Sequence, residues 1–318
     1  MAKSQQRRPK TKAGTRPPSK RRTTAAKRDA GGVAGGSGGR SVAPPIRAGA
    51  RGSAQKSATI HFTGAFSIWQ RELVRFFRER SRAITSFVQP LLYLLVFGSG
   101  LATVVNQSAI AGVNFRVFLL PGVIVMTTLF TSMFSGMSIV WDREFGFLKE
   151  ILVSPVSRPA VIAGKVAGGA TTAAMQGLAI LIFSPIIGLS LNFVNALKVI
   201  PALIVFALAV NLLGVAIASR TQTMQAFFVI QNFVMLPMLF LSGSIYPLRG
   251  APVWLRIGAA FDPATYAVDA IRASLLPVYS HVRLSDTFRL NYGMDIGIIA
   301  ILAVALFVFA VRGINRQP

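Results

Sequence analysis

The sequence predicts an all-α integral membrane protein. It has six transmembrane helices, an N-terminal amphipathic helix in the membrane interface, a short cytoplasmic helix in its central loop, and short external helices before the last span. Three observations predict this. Of 318 residues, 53% are apolar and only 14% are charged, and the mean hydropathy is +0.56. The apolar residues fall in long uncharged runs, each able to cross a core of about 30 Å at about 1.5 Å per residue. The charges collect between the runs and at the chain ends, since they enter hydrocarbon only at high cost. The absence of cysteine removes disulfides, thiol chemistry and Cys-ligated metals. The two histidines, His61 and His281, form no metal-ligand pattern.

Met1 to about Ser57 reads as a disordered basic cytoplasmic tail (residues 1–57). It carries fifteen Lys/Arg and a single acid, Asp29, up to residue 56, so it holds +14 of the chain's net +24. Its Pro, Gly, Ser, Thr and Ala content cannot bury enough surface to offset ordering entropy. No apolar core follows the basic residues, so it is not a secretory signal. It suits a solvated tail that reinforces orientation, or a polybasic segment lying on anionic membrane lipids. Nucleic acid is not the expected partner, because no stacking aromatics interleave with the cations.

From Phe62 to Phe77 apolar residues recur on one helical face and Arg71, Arg75, Arg78 and Arg82 on the opposite one. That pattern predicts a helix lying in the interface, with Trp69 and Phe77 sunk and the arginines among the headgroups. Six spans follow, at about 83–105, 117–141, 163–189, 199–219, 224–246 and 292–311. Internal Pro90, Pro121, Pro185 and Pro237 are tolerable where neighbouring helices satisfy the freed carbonyls. Gly164 and Gly168 make a small-xxx-small pair that predicts close helix packing. An even number of spans puts both termini on one side, and the basic tail makes that side cytoplasmic.

Between the second and third spans, residues 141–158 carry Asp142, Arg143, Glu144, Lys149, Glu150 and Arg158 around Phe145, Leu148, Ile151 and Leu152. The apolar spacing is one face of a short helix. Asp142 and Glu144 would fall in its first turn, where carboxylates suit the dipole, and Pro155 would end it. Between the fifth and sixth spans, Trp254, Ile257, Ala260 and Phe261 precede Asp262-Pro263-Ala-Thr-Tyr266, then Val268, Ile271 and Leu275. This reads as two short amphipathic helices around a proline break, too polar to span.

Glu144-Phe-Gly-Phe-Leu-Lys-Glu-Ile-Leu-Val-Ser-Pro-Val-Ser-Arg158 resembles the intracellular loop of ABC transporter type 2 permeases, the drug, lipid and polysaccharide exporters. Pro263, Tyr266 and Arg272 match a Pro-x-x-Tyr-x-x-x-x-x-Arg arrangement of short external helices in the same family, and Ser242-Gly-Ser-Ile-Tyr-Pro247 resembles its end of the fifth span. The resemblance covers roughly residues 62–316, so residues 58–318 read as the permease domain, most similar to the daunorubicin-resistance type. It implies that the central loop is a coupling helix docking on a separate ATPase subunit through Glu144, Phe145, Gly146, Leu148, Leu152 and Pro155. It also implies a second permease chain, identical or homologous, and a translocation path faced by the second and fifth spans. Gln222, Gln225, Gln231 and Asn232 are then candidate lining residues or interhelical hydrogen-bond partners.

The chain has no phosphate loop. Gly164-Lys165 is followed by Val166 where the motif needs Ser or Thr, and Pro159 stands where it needs Gly. ATP would therefore be bound by the partner, and the chain itself holds no cofactor, metal or catalytic set. An ion-driven carrier would keep an ionisable group in mid-membrane; the spans read as lacking one, with Asp295 at the outer end of the last. The expected function is the plasma-membrane permease of an ATP-driven exporter for an amphipathic, drug-like or lipid substrate. Export of a polysaccharide or glycoconjugate is the alternative, and a membrane scaffold with a ribosome- or nucleic-acid-binding tail is the alternative of another class.

Overall fold

The computed structural model describes residues 50–78, 80–102, 113–144, 157–248, 250–276 and 291–315, all within one unit, Ala48–Pro318. Every regular element among them is helical: α1 Ala50–Arg78, α2 Arg80–Gly100, α3 Phe115–Glu144, α4 Arg158–Ile180, α5 Phe193–Arg220, α6 Met224–Leu241, α7 Val253–Phe261, α8 Pro263–Leu275 and α9 Tyr292–Asn315. Among the described residues, five helices are long and apolar enough to cross a membrane: Phe115–Asp142, Pro159–Ile187, Phe193–Arg220, Met224–Leu241 and Tyr292–Arg312. The first predicted span lies in α2, whose apolar part is the shorter Phe87–Gly100. The chain is thus a multi-pass membrane protein.

Helix starts follow cap chemistry. Asn114 Oδ1 accepts from the Arg116 amide at 3.0 Å, Asn192 from Val194 at 3.3 Å, Thr223 Oγ1 from Ala226 at 3.3 Å and Asp262 Oδ1 from Ala264 at 2.9 Å. Each satisfies an N–H that lacks an intrahelical partner. The Asn192 cap starts the fourth predicted span six residues early, at Phe193. Pro185 lacks the N–H that an α-helix needs, and the last turns of α4 tighten to a 3₁₀ segment, Leu181–Ile187, closed by Gly188 at φ 85°. The helix of the fifth span stops at Leu241, short of the predicted Tyr246, where the chain turns through Gly243 at φ 65°.

α3 is the centre. Phe118, Leu119, Leu120, Ile124, Leu129 and Met133 are all fully buried, against α2, α4, α5, α6 and α8. Small residues set how close these helices come. A Cβ on Gly136 of α3 would lie 2.6 Å from the carbonyl carbon of Gly214 on α5, and one on Gly122 would lie 2.2 Å from the Ser244 carbonyl oxygen. The Gly164/Gly168 pair packs closely, as its spacing predicts, and its partner is α1. Ala65 backbone lies 2.6 Å from a Cβ placed on Gly164, and Glu72 Cβ lies 2.7 Å from one on Gly168. Trp69 Nε1 donates to Thr171 Oγ1 at 3.1 Å beside them. Hence α1, read from sequence as an interfacial helix, packs along α4, and it begins at Ala50, ahead of the predicted tail boundary.

Candidate functional site

Two groups of side chains gather at the Glu144 end of α3. Asp142 and Glu144 are the last turn of this helix rather than the first turn of a following one. Carboxylates there oppose the helix's own dipole, and each has an outside partner that offsets this. Asp142 pairs with Lys165 of α4, both largely buried, with side chains 15% and 7% exposed. Lys165 Nζ also reaches Ser138 Oγ at 3.4 Å. Glu144 Oε2 accepts from the Met224 amide at 3.2 Å, the first residue of α6, so a carboxylate sits at a helix N-terminus, where it is favoured. The segment between α3 and α4 therefore leaves from a corner where α3 is tied to both α4 and α6. Of the residues expected on the coupling helix, Glu144 belongs to this corner, while Phe145, Gly146, Leu148, Leu152 and Pro155 lie outside the described residues.

A cavity of about 500 Å³ opens beside this corner, between α1, α2, α3 and α4. Its floor is a polar stripe on α3, namely Thr127, Thr131, Ser135 and Ser138, facing Thr172 and Gln176 of α4. Thr131 Oγ1 donates to Gln176 Oε1 across the seam. Gly169 makes room for this arrangement, since a Cβ there would meet Ser135 Oγ at 1.9 Å and Asn211 Nδ2 at 2.4 Å. Phe76, Phe130, Phe134 and Trp141 supply apolar surface, and Glu72 and Arg75 of α1 bring the charges.

The polar residues of the fifth span separate. Gln222 precedes the Thr223 cap and is outside the helix. Gln225 and Asn232 are exposed, whereas Gln231 is 1% exposed, and its Oε1 has no hydrogen-bond partner among the described residues.

A model of the ABC-2 type transporter family matches residues 63–276, two thirds of the chain, from α1 through α8. The chain belongs to the ABC-2 type transporter family. Among similar proteins, Nodulation protein J of Rhizobium leguminosarum bv. viciae is 25% identical over 79% of this chain and 93% of its own length. The inner membrane transport permease YadH of Escherichia coli K12 is 26% identical over 81% of this chain and 96% of its own.

In this ABC-2 chain the far end of the bundle is closed by α7 and α8. Pro263, Tyr266 and Arg272 all lie on α8, each with a different partner. Pro263 opens α8 behind the Asp262 cap. Tyr266 OH donates to the Ala260 carbonyl at 2.6 Å and so joins α8 to α7. Arg272 is 4% exposed. It donates to the Gly243 carbonyl at 3.1 Å, lies 3.8 Å from Asp269, and stacks over the Phe118 ring at 4.3 Å. One guanidinium thus ties α8 to the turn after α6 and to the start of α3. Burial pushes the Asp262 carboxyl up to about 8, opposed by the Ala264 and Thr265 hydrogen bonds.

Sequence reasoning missed the Asp142–Lys165 pair and the polar stripe. A signal for both exists. Thr127, Thr131, Ser135, Ser138 and Asp142 recur every three or four residues, which is one face of a helix. Lys165 falls inside the predicted third span, 163–189, and is a buried residue of α4, so the expectation that the spans lack an ionisable group fails there.

Proposed function

We propose that this chain is the membrane-spanning permease subunit of an ATP-driven exporter that moves an amphipathic, drug-like or lipid molecule out of the cytoplasm. The observation that carries this reading is the family match across α1 to α8, because ABC-2 permeases generally work with an ATPase subunit. In this reading the chain crosses the plasma membrane six times, α2 supplying the first span, with both termini in the cytoplasm. ATP belongs to a separate ATPase, and two permease chains make the pathway. The 145–156 loop docks on the ATPase through Phe145, Leu148 and Leu152. Its motion enters the bundle at the corner described above, where Asp142–Lys165 joins α3 to α4 and the Glu144–Met224 hydrogen bond joins α3 to α6. Movement of the loop therefore reaches α6, whose apolar window is only 28% buried and so leaves surface for a second chain or a substrate.

The test is Leu148→Asp, which places a charge within an apolar contact. Membrane insertion should be normal, while the ATPase no longer co-purifies and export stops. Full ATPase retention with normal export would remove the 145–156 loop as the docking site. Export of a polysaccharide or glycoconjugate is a second reading, favoured by the hydroxyl and carboxamide groups that Thr131, Ser135, Ser138 and Gln176 bring to the cavity between α1, α2, α3 and α4.

A further inference from the structure

We infer that the face of α1 turned away from α4 binds an anionic phospholipid, with Arg71 and Arg78 holding phosphodiester groups at the membrane boundary. The leaflet is the one on the Glu144 side of the bundle, cytoplasmic in the orientation proposed above. This lipid is a resident of the outer face, separate from the cavity, and is not cargo. The inference requires only that the chain spans a membrane, and it stands apart from the exporter reading.

Depth comes first. Asp142 closes the apolar stretch of α3, and its partner Lys165 is the last charge before an uncharged run in α4. Charges enter hydrocarbon only at high cost, so this pair marks where the hydrocarbon begins. α1 crosses α4 at that level. Ala65 packs on Gly164 and Glu72 on Gly168, to either side of Lys165 along α4. Trp69 stands between them and donates to Thr171, and indoles favour the interface. Arg71 adjoins Glu72 and shares its level. Arg78 is held near the boundary from the other side, since the apolar part of α2 starts only at Phe87.

Direction comes next. At about 100° per residue, Phe62, Phe66 and Phe77 share a sector about 60° wide, and Arg71 and Arg78 lie within about 20° of each other, about 100° or more from that sector. All five are exposed. Ala65, Trp69 and Glu72 take the remaining sector, against α4. α1 therefore has protein on one flank, phenyl rings for hydrocarbon, and guanidiniums turned away from those rings. That is the order in which a leaflet stacks acyl chains and phosphates. A soluble acidic partner would need the arginines but not the exposed rings beside them.

Charge selects the headgroup. Glu72 is the one acid of α1 and packs against α4, so it does not neutralise the arginine face. Arg75 lines the cavity instead. Arg71 and Arg78 have no ion-pair or hydrogen-bond partner among the described residues. Beyond α1, Glu79 is outweighed by Arg80 and Arg82. A guanidinium meets a phosphate with two parallel N–H donors. Phosphatidylcholine offers that phosphate together with a quaternary ammonium, which arginines repel. Phosphatidylglycerol offers it with no cation beside it. The two arginines are about 10 Å apart along the helix axis, so each can hold its own phosphate.

The chain has no cysteine, so Ser67→Cys places one fluorophore on the exposed side of α1, a turn before Arg71. The full chain is reconstituted in phosphatidylcholine vesicles doped with nitroxide-labelled phosphatidylglycerol or identically labelled phosphatidylcholine. One arginine near the surface is worth about fivefold in lipid affinity. Phosphatidylglycerol should therefore reach half-maximal quenching at a dose at least fivefold lower than phosphatidylcholine, and high salt should shrink the difference. Arg71→Gln with Arg78→Gln should equalise the two lipids. Should that double variant fail to fold, either single change should at least halve the preference. Arg220→Gln, an equal loss of charge at the end of α5, should leave it intact. Equal quenching by both lipids in the unaltered chain would overturn the site, as would a preference that survives the arginine changes. A matching loss in Arg220→Gln would reduce the effect to net charge and also overturn it. Reversal by millimolar glycerol phosphate would assign the arginines to a soluble phosphate and remove the lipid.

Discussion

α3 and α6 are both apolar helices with one internal proline, yet they sit in the protomer in opposite ways. Of the apolar window in α3, 83% of the residues are buried, against 28% in α6. Hydropathy does not explain this, being 2.0 for one and 1.7 for the other. Small and polar residues do. α3 offers Gly122 and Gly136 to backbone on its neighbours, and its Thr128 fits against Gly177 of α4. Lipid tails are as apolar as leucine, so helices in a membrane associate by close packing and hydrogen bonds. α6 buries one stripe, Phe227, Gln231, Met235, Met238 and Leu239, and leaves Val229, Phe233, Leu236 and Phe240 exposed. The lesson is that apolarity places both helices in the membrane, and small residues decide which becomes the core.

The largest effect should come from breaking that core. Gly136→Leu has nowhere to go: its Cβ alone would lie 2.6 and 2.8 Å from backbone atoms of Gly214, so α3 and α5 must separate. Overpacking by even one methyl costs about 1–3 kcal/mol, and Leu adds three more carbons, so we expect no stable protein in mild detergent. Phe233→Ala on α6 removes a far larger side chain that is 79% exposed, and should change protomer stability by less than about 0.5 kcal/mol. Thermal unfolding of the two purified variants checks the contrast. Similar shifts would show that exposure within one protomer says nothing about where its stability resides.

The second effect is electrostatic and tests what joins the two helices flanking the loop. Lys165→Met leaves Asp142 without its partner at a largely buried position. Removing one partner of a buried pair costs about 3–5 kcal/mol; with Asp142 15% exposed, the low end is expected. Adding Asp142→Leu should recover most of the loss, because an apolar pair needs no compensation. A double-mutant cycle by chemical unfolding measures the coupling. If the two single changes simply add, the pair is not a staple.

Much of this was legible in sequence. The break at Asp262-Pro263 gave both short helices their positions, and the Gly164/Gly168 spacing gave a close contact, because each signal is local. What sequence could not supply was the partner. Nothing within residues 158–180 says that Gly164 meets α1. Asp142 and Lys165 lie on separate helices, twenty-three residues apart, so neither helix's own pattern pairs them. Gln222, Gln225 and Asn232 stand at spacings of three and seven, which would put them on one helical face. The Thr223 cap excludes Gln222 from the helix, and the stripe that packs inward takes Gln231 instead. Element ends drifted where a cap or a turn glycine overrode hydropathy, as at Asn192 and Gly243.

The third effect lies at the α7–α8 pair, which borders both regions, and it depends on pH. Asp262 is 4% exposed and caps α8. Burial raises its carboxyl from 3.8 to about 8, so between those values the folded chain holds a proton that the unfolded chain has lost. The unfolded state binds fewer protons there, and stability falls as pH rises. The contribution is fully present below 3.8 and is lost as pH passes about 8. Asp262→Asn keeps an oxygen to accept from the Ala264 amide but carries no charge to bury. At pH 5 the variant should match the parent closely. At pH 9 it should be the more stable of the two, with slower hydrogen exchange through residues 263–275. Parallel pH profiles would mean that the carboxylate is already tolerated at the N-terminus of α8, with the helix dipole and its two hydrogen bonds outweighing burial.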